Sequence, residues 1–416
     1  MDPMPDDAFI PGDRDFLYSP RCSLVLTPHE APKPWGHHYP DPFDLKPADM
    51  GPTDEEKNFS QTQLVFSENN RPLRFDQEKQ KVKDEQLHVV IVKMIPSNRG
   101  RGDFPDPHNL LCRVTRAPAK QRHLSVGDSV FIKVYDPLFW WATDLLDIYF
   151  KVTATADMAF CDEVGAHSFL QEKGLTGFPH LAPEFFGSWT AAVTSSNPKY
   201  EGQTRYVGVL ALEYIDGIQL DKLFTPGIMP RSQTVTMYWE TDTPVSFDTN
   251  EETCMGVMKK LIWENMEQEF AGITHGDIHP RSVLVSMRNG NDILDSPRVS
   301  LIGWRTSVID EISKHPQNAF AYYSRPIHPF NRFNIIRLRD FLGWIPRDWK
   351  GREDNPRDSW QLHKWFFETF GTIVNENNPN FQAWPEWALL DHAFMGLTVS
   401  EDADGDKETI PSIWQT

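Results

Sequence analysis

His275-Gly276-Asp277-Ile278-His279-Pro280-Arg281-Ser282-Val283-Leu284-Val285 is the stretch on which the reading of this 416-residue chain turns. A glycine precedes a lone carboxylate, a proline comes three residues later, and the stretch then runs into three apolar residues. Taken by itself, Asp277 reads as a turn aspartate that caps its own loop. The residues beyond it decide more. Val283-Leu284-Val285 reads as a short strand. Arg288-Asn289-Gly290-Asn291-Asp292 reads as a turn carrying the Asn-Gly hairpin signal, and Val299-Ser300-Leu301-Ile302 as the returning strand. Gly303-Trp304-Arg305 comes directly after it.

Upstream of this loop the chain is strand-like. Leu87 to Val92, Leu110 to Val114 and Val130 to Tyr135 are short apolar runs, the last closed by Asp136-Pro137. Ala159 to Gln171 has helical spacing, with Phe160, Val164 and Phe169-Leu170 on roughly one face. Val207 to Tyr214 reads as a further strand. Gly256 to Phe270 reads as a helix on Val257, Leu261-Ile262 and Met266, and helical stretches return at Trp360 to Phe370 and Trp384 to Phe394. Strands first and helices after is an α+β order, not the alternation of a parallel sheet. It predicts a small β-rich lobe over about 86–218 and a larger helical lobe over about 219–398.

The ends read differently. Residues 1–85 carry prolines at 3, 5, 11, 20, 28, 32, 34, 40, 42 and 47, a composition that predicts a weakly structured segment. Tyr18, Trp35, Tyr39 and Phe43 give parts of it apolar groups with which to pack on the rest. Residues 399–416 form an acidic tail around Glu401-Asp402-Ala403-Asp404-Gly405-Asp406. The net charge of −18 argues against nucleic acid as a partner, because a polyanion is repelled unless a basic patch overrides the field. Cys22, Cys112, Cys161 and Cys254 show no C-x-x-C spacing and suit a reducing compartment. No apolar run reaches the roughly 18 residues of a membrane span. The N-terminus, with Asp2, Asp6 and Asp7, has no apolar core of a signal peptide. An intracellular, cytoplasmic or nuclear protein without a membrane partner is expected. Arg101-Gly102-Asp103 and Asn58-Phe59-Ser60 spell an adhesion tripeptide and a glycosylation sequon, and in that setting both read as chance.

The loop resembles the catalytic loop of the protein-kinase-like superfamily in the spelling H-G-D-x-H-P-x-N-x-L, which aminoglycoside and choline kinases and many fungal protein-kinase-like proteins use. The resemblance covers about residues 85–395 and implies the bilobal kinase fold. It implies that Asp277 stands at the position of the catalytic aspartate, which accepts the substrate hydroxyl proton. Val130-Phe131-Ile132-Lys133 resembles the family's V-A-I-K strand, so Lys133 would reach the ATP phosphates and pair with Glu163 on the following helix. Asp162 and Glu172 lie near enough in sequence to compete for that pairing. Leu212-Glu213-Tyr214-Ile215 resembles the hinge, which implies that Glu213 and Ile215 hold adenine through backbone groups.

Four departures bear on the chemistry. Gly303 stands where the D-F-G motif has its magnesium-binding aspartate, and Ser282 where the loop has its metal-binding asparagine. Phe131 replaces a small residue over the adenine position, where its ring would fill part of the pocket or stack on a base. The glycine-rich loop is reduced to Gly100-Arg101-Gly102, with Asp103 and Asp106 adding negative charge near the phosphates. No A-P-E segment comes later. ATP is the ligand the resemblance implies, whereas these losses argue against a held magnesium. The leading expectation is a pseudokinase that acts by binding or scaffolding an unidentified protein partner. The alternative is an active or weakly active ATP-dependent kinase acting on protein Ser/Thr or on a small-molecule hydroxyl. A third reading, an unrelated fold with a chance loop, is opposed by the ordered series Lys133, Glu163, Glu213 and Asp277. His275 reads as a packing residue, and two histidines without a third clustered ligand do not make a metal site.

Overall fold

The computed structural model describes residues 17–36, 38–40, 51–67, 70–96, 106–119, 123–140, 151–195, 198–225, 233–237, 244–314, 326, 328–349, 351, 359–371, 374–375 and 378–382. Phe43, Gly100-Arg101-Gly102 with Asp103, the helical reading of Trp384 to Phe394 and the acidic tail lie outside them.

Six antiparallel strands close into a barrel: β1 (Ser23–Pro28), β2 (Leu87–Ile95), β3 (His108–Arg116), β4 (Ser129–Tyr135), β5 (Phe185–Thr194) and β6 (Thr204–Glu213), in the order β1-β2-β3-β4-β6-β5. Strand period two explains the interior. Leu87, Val89 and Ile91, then Leu110, Cys112 and Val114, then Val130, Ile132 and Val134 all point inward with Val207, Val209 and Ala211. Each such side chain contributes about 1.5–3 kcal/mol through burial.

The barrel closes through a strand in the segment expected to be weakly structured. β1 pairs with β2 and, through Leu26 opposite Ala191, with β5. Leu24 and Leu26 alternate into the core, and Pro28 sits at the strand's end, where a proline does least harm to a ladder. β5 had no strand reading. Gly187 and a register shift between Phe185 and Ser188 interrupt its alternation.

The outer face of β4 carries Phe131, Lys133 and Tyr135. Against it lies α2 (Val152–Glu172), which comes after the short α1 (Gln61–Phe66) and begins seven residues before the expected Ala159. The N-terminal segment crosses α2 closely: a Cβ on Gly165 would lie 2.2 Å from Pro34, so only glycine admits this approach. Trp35 donates its backbone N–H to Asp162 at 3.3 Å. The Tyr39 hydroxyl donates to the Ser307 carbonyl at 3.0 Å and accepts the Ile309 N–H at 2.9 Å.

Beyond the barrel, β7 (Ile218–Gln219) pairs with β11 (Val283–Asn289), which forms a hairpin with β12 (Asp292–Leu301). β8 (Thr234–Met237) pairs with β9 (Val245–Asp248), and β10 (Ile273–Thr274) with β13 (Val308–Ile309). α3 (Glu251–Ala271) and α4 (Trp360–Phe370) share a second apolar cluster with these strands. α3 starts at Asn250, whose side chain accepts the Thr253 N–H, and stops at Gly272 in the left-handed region. The chain mixes strands and helices, as expected. Among the described residues beyond 219, however, short strands and single turns accompany just these two helices.

Candidate functional site

A cavity of about 540 Å³ opens between the barrel and the β11/β12 hairpin. Lys133, Glu163, Glu213, Ile215, Asp277, Ser282 and Gly303, which are 170 residues apart at the extremes of the chain's numbering, all line it.

One wall is built from β4 and α2. Lys133 is 8% exposed and Glu163 1%, and the ammonium donates to both carboxylate oxygens. Helix phase selects Glu163 over Asp162: the former faces the sheet, while the latter meets the Trp35 backbone. The Tyr135 hydroxyl donates to Glu163 as well. Burial by itself would raise the Glu163 carboxyl. The Lys133 ammonium, the neighbouring His167 and the hydrogen bonds from Lys133 and Tyr135 override it and hold the group at about 2. His167 also lines the cavity, one helical turn along α2, and burial drives its imidazole down to about 4.

The opposite wall is the loop. Gly276 has φ +81°, and a Cβ there would lie 2.2 Å from the Thr306 carbonyl oxygen, so the turn before Asp277 requires glycine. His275 is fully buried. Its Nδ1 accepts the Asp277 N–H at 3.2 Å, which leaves Nε2 to donate to the Ile302 carbonyl at 3.2 Å, and burial lowers it to about 4. The Asp277 carboxylate accepts two hydrogen bonds from the Arg281 guanidinium, at 2.8 and 3.1 Å. The Ser282 hydroxyl lies 2.7 Å from the Asp277 carbonyl and 2.8 Å from that of His279, and accepts the His279 N–H at 3.0 Å. It therefore holds the loop together.

Gly303 ends the β12 side with φ +85°, and a Cβ there would meet nothing within 4 Å. Trp304, fully buried, anchors the next turn. Its Nε1 donates to the Leu301 carbonyl at 2.9 Å and its ring stands edge-on to His275 at 4.6 Å. Arg305 then faces Asp106 across the cavity at 3.5 Å.

The third side is the connection out of β6. Glu213 does line the cavity, but its carboxylate is gripped by the Arg298 fork at 2.6 and 2.8 Å. Neither backbone group of Ile215 forms a hydrogen bond among the described residues. Phe131, Leu212, Ile215, Leu284 and Ile302 supply apolar surface. The phenyl ring of Phe131 narrows this space without closing it.

The donor set is a poor fit to magnesium. Ser282 is engaged within its own turn and Gly303 has no side chain. Among the described residues no three His, Cys, Asp or Glu side chains gather as a metal site. The fit to a nucleotide is better: apolar side chains and the backbone of Ile215 line the cavity together with Lys133, Arg281 and Arg305.

Reasoning from sequence missed Tyr135, His167, Arg281 and Arg305. The signal for Arg281 was its place four residues after Asp277, and for Arg305 its place two after Gly303.

No family model matches the chain, and no curated protein matches it. Among solved structures it is similar to the kinase domain of PknI from Mycobacterium tuberculosis, at 14% identity and a TM-score of 0.26. That similarity covers 52% of this chain and 60% of the kinase domain, which is under two thirds of its length, and it carries no argument about this chain.

Proposed function

We propose that the chain is a protein-kinase-like pseudokinase that holds an adenine nucleotide in this cavity and acts by binding rather than by phosphoryl transfer. The barrel with α2 stands for the small lobe and the α3 and α4 region for the large one. One observation carries the reading: Lys133, Glu163 and Asp277 line one cavity in the order the kinase pattern requires, while the two metal positions, Ser282 and Gly303, offer no ligand. Phosphoryl transfer depends on positioning and on neutralising charge, and the metal supplies most of the second.

A second reading keeps a place because the Lys133–Glu163 pair is formed and the cavity is open. It is an ATP-dependent kinase acting on protein Ser/Thr or a small-molecule hydroxyl. One experiment separates them. Adenosine should raise the melting temperature, as any ligand of the folded state does. γ-Labelled ATP with magnesium should release or transfer no more label than the Asp277→Asn variant does. Turnover that Asp277→Asn abolishes would establish the kinase, and no shift with adenosine would remove the nucleotide from both readings.

A further inference from the structure

Each lost metal position has an arginine beside it in sequence, and both arginines reach the same cavity. Arg281 precedes Ser282, and Arg305 lies two residues after Gly303. The hairpin brings the two together. Val283 pairs with Leu301, the Ile302 N–H donates to the Ser282 carbonyl at 2.8 Å, and Gly276 abuts Thr306. Both arginines thus belong to the same end of β11 and β12, beside Ser282 and Gly303. Along this cavity Lys93, Lys133, Lys222, Arg281 and Arg305 stand against four acidic residues, in a chain whose net charge is −18.

We infer that Arg281 and Arg305 take the place of the divalent cation, so that the cavity binds the phosphate chain of a nucleoside di- or triphosphate without metal. A guanidinium fork matches phosphate oxygens two at a time and keeps its charge at any working pH. Both arginines face carboxylates with which a phosphate would compete. The Arg281–Asp277 pair is 36% and 24% exposed, and such pairs are weak in water. The Arg305–Asp106 contact is 3.5 Å, between side chains 14% and 16% exposed. While the cavity holds no phosphate, Arg281 grips both Asp277 oxygens and directs that carboxylate to its own loop. The inference rests on the cavity being a nucleotide site.

Calorimetric titration of the full chain with adenosine and with ATP, both in EDTA, tests it. ATP should bind at least about 10-fold tighter than adenosine, the size of one charged hydrogen bond, and added magnesium should not improve it. Arg281→Gln and Arg305→Gln should each weaken ATP about 10-fold and leave adenosine unchanged. Arg281→Lys should recover part of the loss, since lysine keeps the charge and loses the fork. A measurement free of variants is salt: raising it should weaken ATP and spare adenosine. Adenosine binding with ATP no tighter in EDTA, or tighter with magnesium alone, would overturn the inference and leave the nucleotide reading standing. Equal losses of adenosine and ATP in the variants would also overturn it. If neither ligand binds, both fall together.

Discussion

The two walls of the cavity are made of different material. The Lys133–Glu163 wall belongs to the core: a strand of a closed barrel, a 21-residue helix, and side chains 10% exposed or less. The Asp277 wall belongs to loops at a hairpin end, where the Asp277–Arg281 pair is partly open to water. A core wall resists change, because Lys133 and Glu163 are buried together and the loss of either would leave a charge stranded. A loop wall is replaceable, because its groups satisfy one another locally. On the first wall stand Phe131, Lys133 and Glu163, and on the second Asp277, Ser282 and Gly303.

The comparison breaks most visibly at the buried pair. Lys133→Met should destabilise the protein by about 3–5 kcal/mol, since Glu163 remains buried without its cation, and the double variant with Glu163→Met should recover much of the loss. Urea unfolding measures both. The sign of the Glu163 shift sets the pH dependence. Its folded value is about 2, below the ordinary 4.5, so its contribution is complete above 4.5 and is lost as pH falls from there towards 2. In Lys133→Met that acid-side loss should shrink or reverse. A Lys133→Met protein as stable as the parent would mean that the first wall is no more tightly built than the second.

Gly276→Ala probes the one place where the loop wall is as unforgiving as the core. The added methyl would meet the Thr306 carbonyl at 2.2 Å from a left-handed backbone. A loss of about 1–3 kcal/mol is expected from overpacking, read as a lower urea midpoint. An unchanged midpoint would show that the contact between the Asp277 loop and the Thr306 segment yields freely.

Most of this cavity's outline was legible in the sequence, and the reason lies in periodicity. Phe131, Lys133 and Tyr135 share a strand face at spacing two, and the same period sends Val130, Ile132 and Val134 into the barrel. Asp277 was marked by its glycine and by the strand after it. The features that escaped reading depend on distant partners. β1 lies among prolines and becomes a strand because β2 and β5, more than 50 residues away, offer it two edges. The choice between Asp162 and Glu163 needed the phase at which α2 docks on β4. Arg281 and Arg305 were visible as letters, yet their meaning required the hairpin pairing that sets them at one rim. Ser282 is engaged locally instead, by hydrogen bonds to Asp277 and His279 that the folded turn sets.

The smallest change in stability should come with a gain of chemistry. Gly303→Asp places a carboxylate where a Cβ meets nothing within 4 Å. The left-handed backbone costs about 1 kcal/mol, because aspartate is among the residues that tolerate it. The new side chain would stand beside Arg305 in a cavity read as binding phosphate by guanidinium groups alone. ATP affinity in EDTA should fall, since the carboxylate both repels phosphate and competes for Arg305, and magnesium should now restore it. Ser282→Asn is the less favourable partner for this test, because it removes the hydroxyl that ties His279 to Asp277. A Gly303→Asp protein that binds ATP as the parent does, with and without magnesium, would mean that the rim at Gly303 lies outside the phosphate path. The two walls would then no longer frame the same ligand.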